Sequence, residues 1–325
     1  MNPRDSIHSH RNSSDQRPKS RVKRRARAPL LIRSLIFLVF LSVLSLSLTP
    51  SCSLDVFAGA FPSASSLHEP RQESAQQLVR DMVWNELQAQ THDHSHWRFH
   101  ETQWNAARKL YDVIQTKYGD LHRLLAINGT PLEGGALEAE DNRIQQLSSD
   151  PDQVEQAQKK RDVDAKQERA MLRMLPRAFV FHEVSREGDI VKLSFTPDPN
   201  FHPSSHQAEV FHHMEGTVFV DGRVNRLVQI DGHLTSRVNF WGGLLGHLDK
   251  GGTFKVEDRD VGDGHWDMVF LNVNMNGKAL FFKTISVHQH EAYSDYHRVP
   301  DDLSLKEAAR ELKQDAESGD RAAGE

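Results

Sequence analysis

The sequence predicts an α+β protein built mostly on antiparallel strands, and three observations carry that reading. About eleven segments rich in Val, Ile, Phe, Tyr and Trp alternate apolar with polar residues, the period of a half-buried strand. Most are joined by short stretches holding Gly, Asn or Asp, which suit antiparallel neighbours better than the long crossovers of a parallel sheet. Between Gly134 and Leu175 strand signals stop, and Glu, Gln, Lys, Arg, Ala and Asp take over, the composition of solvated helices.

Residues 61–70 read as a linker. From Pro70 to Gln90, Ala75, Leu78, Val79, Met82, Val83 and Leu87 follow the i, i+3, i+4, i+7 spacing of an amphipathic helix. "HWRFHETQ", "ARKLYDVIQTKYGD" and "LHRLLAINGT" follow as three strands, with Gly119-Asp120 at one turn and Asn128-Gly129-Thr130 turning the chain. The block at about 134–175 reads as a helical hairpin inserted after the third strand. Asp150-Pro151 supplies an N-cap and first-turn proline, and Pro176 is expected to end the second helix. Later strands are expected at 177–184, 189–195, 209–220, 224–231, 234–240, 252–261, 265–275 and 278–290. Asp221-Gly222, Asp231-Gly232 and Asn276-Gly277 are the expected hairpin turns. A single domain over 71–300 is followed by 301–325, a short helix at 303–313 and a disordered tail.

Ahead of this domain, residues 1–60 look like an export leader. Residues 1–34 carry ten basic side chains against two acids, a balance of +8, which leaves −13 on the rest of a chain whose net charge is −5. The apolar run Leu35–Leu48 is 14 residues long, short of the roughly 20 that span a bilayer and in keeping with a signal peptide. Leu30, Leu31 and Ile32 could extend it around Arg33 into a signal anchor of an inner membrane. Two cuts fit. Ala58-Gly59-Ala60 is a small-x-small site, and "LTPSC" resembles the lipobox of bacterial lipoproteins, in which Cys52 would be acylated. The lipobox match is partial, since Leu48 lies one place too far upstream and Thr49-Pro50 fills the intervening positions. Ser53 after the cysteine implies, by that resemblance, the outer membrane. A periplasmic or outer-membrane location follows either cut. Cys52 is the sole cysteine, so the domain itself has no disulfide or thiolate chemistry. The basic run directly precedes the apolar one, which favours targeting over nucleic-acid binding, and no nucleic-acid partner is expected.

The last large hairpin suggests a site. In "HWDMVFLNVNM", simple alternation sends Trp266, Met268 and Phe270 one way and Val269, Leu271, Val273 and Met275 the other. In "ALFFKTISV", Phe281, Ile285 and Val287 oppose Leu280 and Phe282. Two apolar faces need apolar cover on both sides. Either a helix and a second sheet supply it, or one face is concave and lines an apolar cavity. In the second case Trp266, Met268, Val269, Phe270, Leu271, Phe281 and Phe282 are the candidate lining residues.

The order of helix, three strands, inserted helices and further strands, together with "MEGTVFVDGRVNRLVQIDG" at 214–232, resembles the LolA/LolB-like lipoprotein-localisation and outer-membrane lipoprotein-sorting superfamily. In that family a G-x-V-x-V-D strand leads into one ending I-D-G. The resemblance spans residues 71–298 in outline and the quoted stretch in motif. It implies a strongly curved, open β-barrel-like sheet of about eleven strands with covering helices inserted after the third. It also implies a non-catalytic protein binding lipid or lipoprotein acyl chains, with the membrane surface as a further contact.

Histidines offer a rival reading. Seventeen of 19 follow Ala60, and on a strand His92, His94 and His96 would share a face, as would His288 and His290. Such imidazoles can bind zinc or copper, or decorate a solvated surface. "FWGGLLGHLDKGG" at 240–252 lacks the G-K-[ST] of a phosphate loop and reads as a strand connection with an apolar tip of Leu244, Leu245 and Leu248. G-x-S-x-G and H-E-x-x-H are both missing, so the chain is not expected to be an enzyme. The expected function is an exported, non-catalytic envelope protein holding an apolar chain. The alternatives are a His-rich metal-binding envelope protein and a structural one without a ligand.

Overall fold

The structure, a computed structural model, describes residues 74–240, 243, 246–279 and 283–322, with the side chains of Ala279, Lys283, Ile285 and 315–322 left aside. The leader, the linker, Cys52, Leu244, Leu245, Phe281 and Phe282 lie outside the described residues.

Thirteen strands form one sheet. They are β1 (His96–Trp104), β2 (Arg108–Ile114), β3 (Leu121–Ile127), β4 (Thr130–Pro131), β5 (Phe179–Glu187), β6 (Ile190–Pro197), β7 (Met214–Asp221), β8 (Arg226–Leu234), β9 (Val238–Phe240), β10 (Gly246–Leu248), β11 (Thr253–Gly262), β12 (His265–Ala279) and β13 (Lys283–Val299). The order is β4-β3-β2-β1-β13-β12-β11-β8-β7-β6-β5, and the pairings are antiparallel. Short β9 and β10 pair with each other, and β10 pairs with the far end of β12. They therefore continue β8 and β11 past a break, and eleven strand positions result. The terminal strands β4 and β5 are not paired with each other, so the sheet is open.

Four helices complete the described fold: α1 (Ala75–His92), α2 (Gly134–Ser149), α3 (Pro151–Ala178) and α4 (Leu305–Ala322). Ser74 caps α1 by accepting from the Gln77 amide at 3.2 Å. Helix α1 buries Leu78, Val79, Met82 and Val83 against α3 and the β5, β7 and β8 strands. Asp150 accepts from the Gln153 amide and Pro151 starts α3, as the sequence suggests. Helices α2 and α4 pair and cover β3. Neighbouring Val113 and Ile114 enter two different cores, so β2 is covered on both faces. None of the described helices is long and apolar enough to cross a membrane.

Several sequence expectations need correction. Pro176 lies within the last turn of α3, which runs on to Ala178. Residues 207–213 form a 3-10 turn rather than strand, because Ala208, Val210 and Phe211 are all buried, a pattern that alternation cannot satisfy. Asp231-Gly232 and Asn276-Gly277 are not turns. They sit inside β8 and β12, and Gly232 faces Gly216 across the ladder. A Cβ at Gly216 would run into the Asp231 carbonyl oxygen, and one at Gly277 into that of His247. These glycines permit close backbone approach, not reversal. Leu248 is fully buried in β10 instead of forming an exposed tip, and α4 continues through the expected tail to Ala322.

Simple alternation fails in β12. Glu257 pairs with Phe270 but Asp258 with Met268, so Val269 is an extra, bulged residue. The phase shift brings Trp266 and Met268 onto the same face as Leu271, Val273 and Met275. On the other face Asn272, Asn274, Asn276 and Lys278 are exposed, so this strand has one apolar side, not two.

Candidate functional site

A cavity of about 610 Å³ lies between α1, α3 and the inner face of the sheet from β5 to β12. Its size falls within the roughly 300–1,000 Å³ of small-molecule sites. Helix α1 contributes Val79 and Met82, and α3 contributes Met171, Leu172 and Leu175. The strands add Phe179, Phe181 and Phe195 on one side and Phe254, Val256 and Met268 on the other. Apart from Asp267, the buried lining is apolar, while the exposed His94, Lys117 and Gly264 mark where the cavity meets solvent.

Two polar clusters flank that opening. The Arg226 guanidinium donates to both carboxylate oxygens of Glu86 at 2.9 and 3.0 Å, and the Leu227 amide donates to Glu86 as well. This pair fastens α1 to β8, and Arg226 also lies over the Trp266 ring, 5.6 Å from its centre. Both partners are largely shielded, so Arg226→Ala strands a carboxylate and is expected to lower stability by about 2 kcal/mol in urea denaturation. The second cluster is His265, whose Nδ1 lies 2.6 Å from Asp93 and Nε2 3.4 Å from Asp267, with the Trp97 indole stacked at 4.6 Å. For Asp93, burial alone would raise the pKa. Hydrogen bonds from Ser95 and the adjacent imidazole outweigh it and hold the carboxyl at about 2. Its ionised form therefore stabilises the fold above the ordinary 3.8, and that contribution disappears as pH falls through about 2. Both imidazole nitrogens face carboxylates, and the ring lines the cavity.

Of the expected lining residues, Trp266 and Met268 line the cavity and Leu271 packs in the core beside it. Val269 sits at the bulge, and Phe270 lies on the outer face against His290. The histidines are not brought together. His92 ends α1, bonded to the Gln88 carbonyl, His94 belongs to the connection, and only His96 is in β1, 3.7 Å from Asp301. His288 bonds Ser286 on the outer face, and His290 stacks on Trp104 at 4.3 Å. Among the described residues no group of three His, Cys, Asp or Glu side chains is placed to hold a metal.

Elsewhere on the inner face is a buried polar network that the sequence reading missed. Glu101 is fully buried and lies 3.1 Å from His122 Nδ1, while Gln103 donates to its other oxygen. Glu291 receives the Tyr293 hydroxyl at 2.5 Å and the Gln289 amide at 2.8 Å. Burial, and next the Glu101 charge, push the Glu291 carboxyl up to about 7 against those two hydrogen bonds. Burial and the neighbouring carboxylates also push the Tyr293 phenol up. The signal was a carboxylate in core phase: Trp97, Phe99 and Glu101 alternate on one strand, Glu291 and Tyr293 on another.

The chain matches no family model, no curated protein and no solved structure.

Proposed function

We propose that this chain is a non-catalytic carrier or sorting protein of a bacterial envelope, exported to the periplasm or outer membrane. It holds a lipid or lipoprotein acyl chain between its helices and a strongly curved, barrel-like sheet. The observation that carries the reading is the apolar cavity of about 610 Å³ opening through a polar mouth. Protein cores pack to crystal density and leave few voids larger than a water, so a space of this size and lining suits an occupant. Each methylene buried there contributes about 0.8 kcal/mol, so ten would bring about 8 kcal/mol before the cost of association. The sequence outline that resembles lipoprotein-localisation proteins and the leader-like pattern of residues 1–60 support the same assignment.

Leu172→Trp tests it. Leu172 lines the cavity from α3 and is half-buried, so an indole there fills space without removing a core side chain. Affinity for a neutral apolar fluorophore is expected to fall at least about tenfold, a loss of 1.4 kcal/mol, with the thermal midpoint little changed. Unchanged affinity in a folded variant would place the fluorophore outside this cavity and remove the support for a carrier.

A further inference from the structure

We infer that Asp93 and His265 form a clasp that gates the cavity, so that an apolar ligand passes when their hydrogen bond breaks, an inference that rests on reading the cavity as an aliphatic-chain site. The exposed lining residues locate the way in. Among the described residues these are Asp93, His94, Lys117 and Gly264. Asp93 is one half of the clasp, and His94 and Gly264 are the chain neighbours of its two halves. The bond therefore lies at the opening and not behind it. Asp93 begins the connection from α1 to β1, while His265 is the first residue of β12, so the bond ties two sides of the opening together.

Distances make the clasp a barrier. His265 Nδ1 lies 2.6 Å from the Asp93 carboxylate. Non-bonded carbons keep about 3.5–4.0 Å apart, so no methylene chain passes between the joined groups. The two halves are anchored unequally. His265 follows the tight turn Asp263-Gly264, both at positive φ, and its ring is stacked on the buried Trp97. Residues 93–95, by contrast, belong to neither helix nor strand. The second carboxylate oxygen of Asp93 accepts from the Ser95 amide at 2.9 Å, a local link that moves with the connection. Opening thus needs one side chain to swing or three residues to shift, with α1 and the hairpin left in place, and small loop movements of this kind commonly set ligand exchange rates. The bond is charge-assisted, because the Asp93 carboxyl, held at about 2, is ionised at neutral pH. The 36% exposure of the Asp93 side chain screens it, which keeps the effect modest.

The test is stopped-flow mixing of the full chain with N-phenyl-1-naphthylamine, an uncharged apolar fluorophore, at neutral pH. Asp93→Ala cuts the clasp from the connection. His265→Phe cuts it from the hairpin and keeps a ring against Trp97. Association and dissociation are both expected to be about fivefold faster in each variant, equivalent to about 1 kcal/mol off the barrier. Asp93→Glu keeps a carboxylate and should recover most of the slowing. An association rate unchanged in Asp93→Ala overturns the gate and leaves the carrier reading standing. Weaker binding through dissociation alone has the same consequence, since Asp93 would then be a ligand contact. Equal acceleration in Asp93→Glu also overturns it, because the carboxylate would not be what holds the opening. Absence of fluorophore binding by the unaltered chain removes the carrier reading together with this inference.

Discussion

Glu291→Gln is expected to stabilise the protein at pH 8 by about 2–3 kcal/mol and to leave it nearly unchanged at pH 4.5. The Glu291 carboxyl is held at about 7 in the folded chain against an ordinary 4.5. An acid shifted upward stabilises the fold below its unfolded value, and that stability is lost as pH rises through the folded one. The window is therefore pH 4.5 to about 7. Glutamine keeps the shape and cannot ionise. It can accept from the Tyr293 hydroxyl through its carbonyl. Its amide can donate to Gln289 once that side chain flips, because Gln289 Oε1 has no partner in the native network. Urea denaturation of both proteins between pH 4.5 and 8 measures the effect. Parallel curves for the two would mean that Glu291 does not titrate in this window.

Gly216→Ala is expected to cost about 4 kcal/mol or more, enough to abolish folding in a chain of ordinary stability. Gly216 and Gly232 oppose each other across the β7–β8 ladder. A methyl group at Gly216 meets the Asp231 carbonyl, which is backbone and cannot rotate away. The ladder must open locally, and with it the Thr217 hydroxyl loses its bonds to the Asp231 carboxylate at 3.1 Å. Gly252→Ala is the control. Its Cβ meets chiefly the Met275 sulfur, a flexible side chain that can move, so the loss should be about 1–2 kcal/mol. Equal losses in the two variants would show that backbone approach is not what Gly216 provides.

The same glycines show what could be read in the sequence and what could not. Helix α1, the three strands that follow, the helical block before β5 and most later strands were legible, because each carries its own hydrophobic period and end signals. Asn276-Gly277 misled for a physical reason. An Asn-Gly pair marks a turn only when it ends a ladder, and here the glycine serves the packing of β10 against β12. The bulge at Val269 was invisible because it depends on the length of the partner strand β11. It decides which aromatic residues face inward, and so Phe270 was misassigned while Trp266 and Met268 reached the cavity. The larger share of the lining, from α3 and from Phe179, Phe181, Phe195 and Phe254, comes from segments far apart in the chain. Their convergence follows from strand order, which no local pattern encodes. The spacing of His92, His94 and His96 promised a shared face only if all three were in one strand, and α1 extends through the first of them.

Strand order also sets when this protein can become folded during its synthesis. β13 is the last of the described strands in chain order, yet it lies between β1 and β12 and pairs with both. His96 must wait for Val299, roughly 200 residues downstream, or about 10–40 s at ordinary ribosomal speed. Until then β1 to β3 have no neighbour linking them to the rest of the sheet. A chain that ends before residue 283 consequently holds two sheet fragments, β1 to β4 and β5 to β12, without the strand that joins them, and leaves the inward edges of β1 and β12 unpaired.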